Sequence, residues 1–371
     1  MLTPATRVGG RNGPAARRLR LCDIARRPTR PRSYAHEEGS SVNVIIDTDV
    51  ALDDWMAISY LVMSPDVNVL GVTTTGVGAA YLTPGTRNAL DLLATLGRAD
   101  VPVAAGTSAA LRYSNVYPTA FRQTVNEAYY VPLTQNPNPP KSNAVEFIAS
   151  TVTDNPGVDI LSIGGGTNLG TLLSQQPDIA ARIGSVVIMG GAINDPPGST
   201  SPVAGNVSSF NPDYSNTVAE WNMFVDPKGA ELMLTSGLDV TLVTLNACNE
   251  VPLTSAFYRE LQAIVVAGGA TPAATVIYAA LTSQLSTVQQ GQYFFWDPLT
   301  AVLLTDPAMA DYLVTPVKVH QDLDLEDDRS GQTLIADEGS PVRVAMTVPR
   351  PQAVRERFLA VISGADRPDD H

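Results

Sequence analysis

Residues 42–54 read VNVIIDTDVALDD, and their pattern indicates the fold class. The β-branched run at 42–46 predicts a short buried strand, and four carboxylates follow it within eight residues. Beyond the acids, apolar side chains recur at helical spacing and predict a helix, namely Ala57, Ile58, Leu61 and Val62. The stretch therefore predicts a strand, an acidic loop and a helix, in that order.

Strands and helices continue to alternate along the rest of the chain. Further strands are predicted at 67–75, 101–103, 159–163, 185–189 and 240–245, and helices at 83–96 and 226–236. Such alternation predicts an α/β fold with a mostly parallel central sheet covered by helices on both faces. No repeat or linker interrupts residues 41–371, so we predict one domain there. The polar, proline-rich region 112–141 is long enough to be a functional loop or lid.

Composition excludes several classes of protein. The 371 residues are 44% hydrophobic and 16% charged, which rules out intrinsic disorder for most of the chain. The net charge of -13 argues against nucleic acid or an anionic membrane as the partner, and no apolar run is long enough to span a bilayer. The two cysteines, Cys22 and Cys248, provide neither a disulfide framework nor a thiolate metal cluster. We expect a soluble, cytoplasmic protein.

Residues 1–40 differ in composition from the remainder. They hold nine arginines against three acidic residues, a net charge of +6, so that residues 41–371 carry -19. Arginine or proline interrupts every short apolar run, which excludes an obvious secretory signal. We expect a disordered N-terminal extension, or an upstream start codon chosen in error. An organellar transit peptide remains the alternative.

The acidic segment after the first strand is the strongest local signal of chemistry. Asp47 and Asp49 leave a buried strand, while Asp53 and Asp54 open a helix, where the macrodipole favours negative charge. Crowded carboxylates have raised pKa values unless a cation neutralises them. Oxygen ligands of this kind suit a hard divalent cation such as Ca²⁺.

Two other interpretations of the acidic segment remain open on these residues alone. Asp53 and Asp54 could simply cap the helix while Asp49 makes a turn. Asp47-Thr48-Asp49 also superficially matches the nucleophile motif of haloacid-dehalogenase-like phosphatases. That family needs a positioned lysine, and none of Lys141, Lys228 and Lys318 stands in a matching context.

The chain resembles the inosine-uridine-type nucleoside hydrolase family, whose hallmark is a DTDxxxDD segment at the end of its first strand. The resemblance covers most of residues 42–349. Besides 47–54, the matching segments in family order are Thr86-Arg87-Asn88-Ala89, Val101-Pro102-Val103-Ala104-Ala105-Gly106, Gly164-Gly165-Gly166-Thr167-Asn168, Met189-Gly190-Gly191, Ala219-Glu220-Trp221-Asn222 with Asp226-Pro227, and Asp297-Pro298. Each segment is weak by itself, but six in order are specific.

The resemblance implies hydrolysis of the N-glycosidic bond of a ribonucleoside around a calcium ion. Carried over by position, the calcium ligands are Asp49, Asp54, Asp297 and the backbone carbonyl of Ile163, which stands where other members have threonine. Asp49 is also implied to be the general base for the attacking water.

The resemblance also assigns the ribose-binding residues. Asp53 is implied to accept hydrogen bonds from the ribose hydroxyls, with Glu220 and Asn222 at the far edge of the sugar and Asn206 near its 5′ end. Carboxylates are needed there because breaking the C–N bond leaves positive charge on the ribosyl group. Trp221 is expected to pack beside the pocket as core.

The base-binding residues resemble those of the purine-specific branch. Pyrimidine-tolerant members place a histidine before the aspartate that matches Asp297, but here that position is Trp296, and none of the three histidines lies beside a family motif. Trp296 is implied to stack on the base, with Phe121 of residues 117–122 covering its other face. Stacking would raise the basicity of a purine so that solvent can protonate it.

We therefore predict a purine-preferring, calcium-dependent nucleoside hydrolase acting in nucleoside catabolism and purine salvage. As in the family generally, we expect a homo-oligomer. The missing histidine, and residues 75–78 in place of a family asparagine, keep a nucleoside-binding protein without turnover as the alternative.

Overall fold

Ten strands form one sheet in the computed structural model, which describes residues 41–197, 202–322 and 328–365. The predicted disordered extension at 1–40 lies outside the described residues. The strands are β1 (Val42–Thr48), β2 (Val67–Thr74), β3 (Val103–Ala105), β4 (Lys141–Ser142), β5 (Val158–Ser162), β6 (Ile183–Met189), β7 (Val240–Val243), β8 (Asp311–Val319), β9 (Thr333–Ile335) and β10 (Pro341–Thr347).

Helices connect these strands. They are α1 (Leu52–Met63), α2 (Leu82–Thr95), α3 (Thr119–Asn126), α4 (Ala144–Asp154), α5 (Thr167–Gln175), α6 (Val207–Phe210), α7 (Trp221–Val225), α8 (Pro227–Thr235), α9 (Leu245–Cys248), α10 (Ser255–Val266), α11 (Pro272–Ser283), α12 (Leu285–Gln289), α13 (Trp296–Thr305) and α14 (Pro351–Ser363). Short 3₁₀ helices lie at Ala128–Tyr130, Pro177–Arg182 and Pro307–Met309.

The strand order is β4-β3-β2-β1-β5-β6-β7-β10-β8-β9. Every neighbouring pair from β4 to β10 is parallel, whereas β8 runs antiparallel to both β10 and β9. The order reverses at β1, because β2 and β3 extend to one side of it and β5, β6 and β7 to the other. The prediction of a single, mostly parallel α/β domain is confirmed.

Alternating side chains of β1 divide the core into two layers. Val44 and Ile46 pack into a cluster with α1, α2, α10, α11, α13 and α14, whereas Ile45 packs with α4, α5 and α8 on the opposite face. Successive side chains of a strand point to opposite faces, so a continuously apolar β1 requires helices on both. Within the described residues, no helix combines the length and apolar character that crossing a bilayer requires.

Two elements differ from the sequence expectation. The strand expected at 101–103 begins at Val103, because Pro102 has no N–H to donate to a ladder. Region 112–141 is not a plain loop, since it contains α3, which buries Arg122 and Val125 on its inner side. The identification of this region as a lid stays a prediction.

Candidate active site

A cavity of about 750 Å³ lies beyond the carboxyl ends of β1, β5 and β6. The chain order of the strands reverses between β1 and β5, which is where open α/β sheets form crevices for ligands. All ten residues predicted from the sequence to form the site line this cavity: Asp49, Asp53, Asp54, Phe121, Ile163, Asn206, Glu220, Asn222, Trp296 and Asp297. The fold thus brings together residues that are up to 248 positions apart in the chain.

Three carboxylates converge within the cavity. One oxygen each of Asp53, Asp54 and Asp297 lies within 4.8 Å of the other two. All three stand in the first turns of α1 and α13, where the helix dipoles favour negative charge. Asp49, predicted as a ligand with Asp54 and Asp297, lies outside this group of three but lines the same cavity.

The loop between β1 and α1 wraps around the Asp54 carboxylate. The Thr48 hydroxyl donates to Asp54 Oδ1, and the Ala51 N–H donates to Oδ2 at 2.9 Å. The N–H groups of Asp49 and Val50 lie 3.2 and 3.3 Å from Oδ1. Val50 adopts a φ of 68°, which is costly for a β-branched residue, so the surrounding contacts hold this loop in a strained shape around the carboxylate.

Asp49 is held from the opposite side by the loop that follows β2. The Ala79 N–H donates to Asp49 Oδ2 at 2.7 Å, and the Ala80 N–H donates to the Asp49 carbonyl at 3.0 Å. Gly78 permits this approach, because a Cβ there would lie 1.8 Å from Asp49 Oδ2. These contacts fix the position of the Asp49 carboxylate.

Burial and mutual repulsion raise the pKa values of the acidic side chains. Burial raises the pKa of Asp53 to about 7, and the negative charge of Asp49 adds to this. Burial likewise raises the pKa of Asp49, and those of Asp54 and Asp297 well above their ordinary range. A divalent cation among these oxygens would favour their charged forms, so the donor set fits a hard metal ion.

Glu220 and Asn222, two of the residues predicted to bind ribose, lie at the start of α7. Glu220 accepts hydrogen bonds from the N–H groups of Gly191 and Met223 at 3.1 and 3.2 Å, and from that of Asn222 at 2.9 Å. Burial raises the pKa of Glu220 to about 7 in spite of these bonds. The Asn206 side chain accepts from the Trp221 N–H at 3.1 Å, which fixes its place in the wall.

Aromatic side chains form another part of the cavity lining. Trp296 contacts the rings of Tyr293 and Phe294 at centroid distances of 5.1 and 5.7 Å. Phe121 stacks on Tyr117 at 5.4 Å, and Tyr117 stacks on Trp221 at 4.2 Å. These two aromatic groups supply flat apolar surfaces within one cavity.

Among the described residues, neither a histidine nor a lysine lines the cavity. His320, the one histidine among the described residues, lies just after β8 and away from the cavity lining. His36 and His371 lie outside the described residues. In the described part of the chain no lysine lines the cavity either, which removes the residue that a phosphatase would require.

Several cavity residues were not anticipated from the sequence. Tyr293 places its hydroxyl 3.4 Å from Asp53 Oδ1. Trp221, expected to pack beside the pocket as core, itself forms part of the wall. Polar side chains between α9 and α13 also line the cavity, namely Asn249, Gln284, Thr287 and Gln292. No local motif marks these residues, because tertiary packing brings them to the cavity. Only the position of Tyr293, three residues before Trp296, offered a signal.

Sequence comparison relates the chain to known nucleoside hydrolases. The chain is 34% identical over 223 residues to a probable uridine nucleosidase 2 of Arabidopsis thaliana. The match covers 58% of this chain and 63% of that protein. A pyrimidine-specific ribonucleoside hydrolase of Salmonella arizonae is 28% identical over 276 residues, covering 73% and 79%. The chain thus spans about 63% of the length of the plant relative that it matches.

Solved structures resemble the chain over a longer range. A plant nucleoside hydrolase matches with a TM-score of 0.73 and 27% identity, covering 87% of this chain and 99% of that one. A purine-preferring ribonucleoside hydrolase from Gardnerella vaginalis matches with a TM-score of 0.71 and 27% identity, covering 87% and 98%. The family model described as inosine-uridine preferring nucleoside hydrolase matches residues 44–355. The chain belongs to the inosine-uridine preferring nucleoside hydrolase family.

Proposed function

We propose that this protein hydrolyses the N-glycosidic bond of ribonucleosides in the cavity at the end of β1 and β5. The observation that carries the proposal is that Asp49 and the three-carboxylate group share one cavity with Glu220, Asn222 and the ring of Trp296. A nucleoside has a polar sugar and a flat base. The acidic residues of the cavity would accommodate the sugar, and its aromatic residues would accommodate the base.

The reaction joins water to the sugar as the base leaves. The oxygen of water forms a bond to the anomeric carbon, and the C–N bond breaks with its electron pair going to the base. Asp49 takes a proton from the water, and the departing base takes one from solvent. The buried carboxylates stabilise the positive charge that develops on the ribosyl group, and this stabilisation grows as the bond breaks.

The sugar is proposed to be bound by Asp53, Glu220, Asn222 and Asn206. The metal ion is proposed to be held by Asp54, Asp297, Asp49 and the Ile163 carbonyl. We propose Ca²⁺, because several carboxylates and a backbone carbonyl offer the hard oxygen donors that suit its high coordination number. When bound, the ion would keep the carboxylates charged and polarise the attacking water.

The side chains around the proposed base position support a preference for purines. Trp296 offers a broad stacking surface with Tyr293 and Phe294 beside it, and no imidazole among the described residues lines the cavity to protonate a pyrimidine. The names of relatives point in both directions, since they include uridine nucleosidases and a purine-preferring hydrolase. Purified protein incubated with equimolar inosine, adenosine, guanosine, uridine and cytidine should release base and ribose, fastest from the purines.

Chromatography of the mixture tests the reaction, and a chelator with calcium add-back tests the ion. Nucleoside binding by calorimetry without any base release would replace the proposal by a binding protein that lacks turnover. Restoration of activity by magnesium alone would contradict the choice of calcium. The homo-oligomer expected from the family is proposed also, and light scattering of the purified protein measures it.

A further inference from the structure

Arg122 is a buried cation next to the site but outside the cavity. Arg122 is 6% exposed, and no carboxylate of the described residues lies within ion-pair distance of its guanidinium. The guanidinium instead lies over the Tyr81 ring at 3.9 Å. A buried charge without a carboxylate partner is costly, so its contacts to neutral groups must be strong for the site to persist.

Those contacts join the two ends of the loop that holds Asp49. A single nitrogen, Nη2, donates to the carbonyl of Gly76 at 2.8 Å and to that of Ala80 at 2.7 Å. Between these two carbonyls stand Gly78 and Ala79, and the Ala79 N–H donates to the Asp49 carboxylate. Arg122 therefore closes a loop whose other side carries the hydrogen bond that orients Asp49. Charge-assisted bonds of this kind are shorter and stronger than neutral ones.

The helix that carries Arg122 also carries part of the cavity wall. Phe121 precedes Arg122 on α3 and lines the cavity, while Arg122 faces inward. Asn88 donates to the Val125 carbonyl at 2.9 Å, and the Tyr81 N–H donates to the Asn126 side chain at 2.9 Å, so α3 is attached to α2 and to the end of the same loop. One short helix thus contacts both the aromatic wall and the support of Asp49.

We propose that Arg122 is a positioning residue for the hydrolytic reaction: it holds the loop at residues 76–80 closed and thereby keeps the Asp49 carboxylate aimed at the attacking water. The proposal rests on the proposed function. It assigns Arg122 an effect on the reacting geometry and none on the affinity for the base, although its neighbour Phe121 faces the base-binding part of the cavity.

The test compares Arg122→Met and Arg122→Lys with the matched control Arg98→Met, which removes only a surface ion pair with Asp100. For the best nucleoside, kcat of Arg122→Met should fall on the order of 10²-fold with KM nearly unchanged, because a small misplacement of a reacting group has that effect. Arg122→Lys should fall less, since one ammonium keeps the charge but loses the planar geometry. Arg98→Met should match the unmodified protein.

A second substrate separates the two roles that α3 could have. 4-Nitrophenyl riboside carries the sugar without a nucleobase, so a defect in orienting Asp49 should lower its turnover as much as that of the nucleoside. Methylguanidinium added at millimolar concentration should restore part of the turnover of Arg122→Ala, and should leave that of Arg98→Met unchanged. A raised KM with normal kcat, or a defect confined to nucleosides, would overturn the proposal.

Hydrogen exchange gives a readout that does not depend on turnover. Amides in the segment 76–81 should exchange about tenfold faster or more in Arg122→Met, because the loop loses hydrogen bonds to a charged group. Unchanged exchange there would overturn the positioning role. If the unmodified protein releases no base from any nucleoside, the proposed function fails, and the exchange rates still decide whether Arg122 holds the loop.

Discussion

Asn222 donates from its side-chain nitrogen to the backbone carbonyl of Ile163 at 3.1 Å. A residue assigned to the sugar is thereby bonded to the carbonyl assigned to the metal ion. The same nitrogen lies 3.2 Å from the Met189 carbonyl, so Asn222 bridges the ends of β5 and β6. Because a carbonyl oxygen has two lone pairs, Ile163 can accept this bond and still face an ion.

Replacing Asn222 should therefore weaken both sugar and metal binding. In Asn222→Ala, the affinity for calcium should fall about 10- to 100-fold, as for other groups that orient a metal ligand, and KM for nucleosides should rise. Titration against a calcium-indicator dye measures the first effect. Asn68→Ala, which removes an exposed bond to Asn43, serves as the control. Calcium affinity equal in the two variants would contradict the link between the sites.

Substitutions in the acidic group should separate metal ligands from the general base. Asp54→Ala and Asp297→Ala should lose calcium and activity together, as measured by elemental analysis after gel filtration. Asp49→Asn keeps an oxygen that can face the ion but cannot take a proton, so it should retain the fold and lose about 10²–10⁴ in kcat. Full calcium occupancy in Asp54→Ala would remove Asp54 from the ligand set. Loss of calcium in Asp53→Asn would add Asp53 to it.

The ion-free protein should lose stability as pH rises. Asp53 and Glu220 have folded-state pKa values of about 7, above the unfolded values of about 4, so the folded state binds more protons between these limits. Their stabilising contribution is complete below about pH 4 and is lost as pH rises through about 7. The melting temperature with chelator should be higher at pH 5 than at pH 8, and saturating calcium should reduce the difference. A melting temperature that rises from pH 5 to pH 8 in chelator would contradict this.

The parts of the site that are contiguous in the chain could be predicted from the sequence, and the parts that tertiary packing brings together could not. The segment from β1 to Asp54 combines an apolar run, an acidic loop and a helix start within 13 residues, so periodicity alone predicted its structure. Family resemblance was needed to associate Trp296 with Phe121, because they lie 175 positions apart in the chain. Helix α3 was not predicted, because it is only eight residues long and mostly polar. Tertiary contacts of Arg122 and Val125 stabilise it.

Preference for the base should depend on Trp296. A purine presents a larger face than a pyrimidine and a ring nitrogen that accepts a proton, so stacking that strengthens as the base gains charge should favour purines. Inosine, adenosine or guanosine should accordingly have a higher kcat/KM than uridine or cytidine. Trp296→Ala should lower kcat as well as affinity, roughly tenfold in kcat, which corresponds to about 1.4 kcal/mol.

Phe121 provides the matched comparison, because it lies in the same cavity but stacks on Tyr117 and not on Trp296 or the rings beside it. Phe121→Ala should lower kcat less than Trp296→Ala does. Trp296→Phe keeps a smaller stacking surface, so its kcat should lie between those of Trp296→Ala and the unmodified protein. Steady-state kinetics on inosine and uridine, side by side for each variant, measures both the rate and the preference. Since Gln284 and Gln292 also line the cavity, they are the next candidates for contact with the base. Uridine cleaved as well as inosine by the unmodified protein, or an unchanged kcat in Trp296→Ala, would show that activation of the leaving group comes from a residue other than this tryptophan.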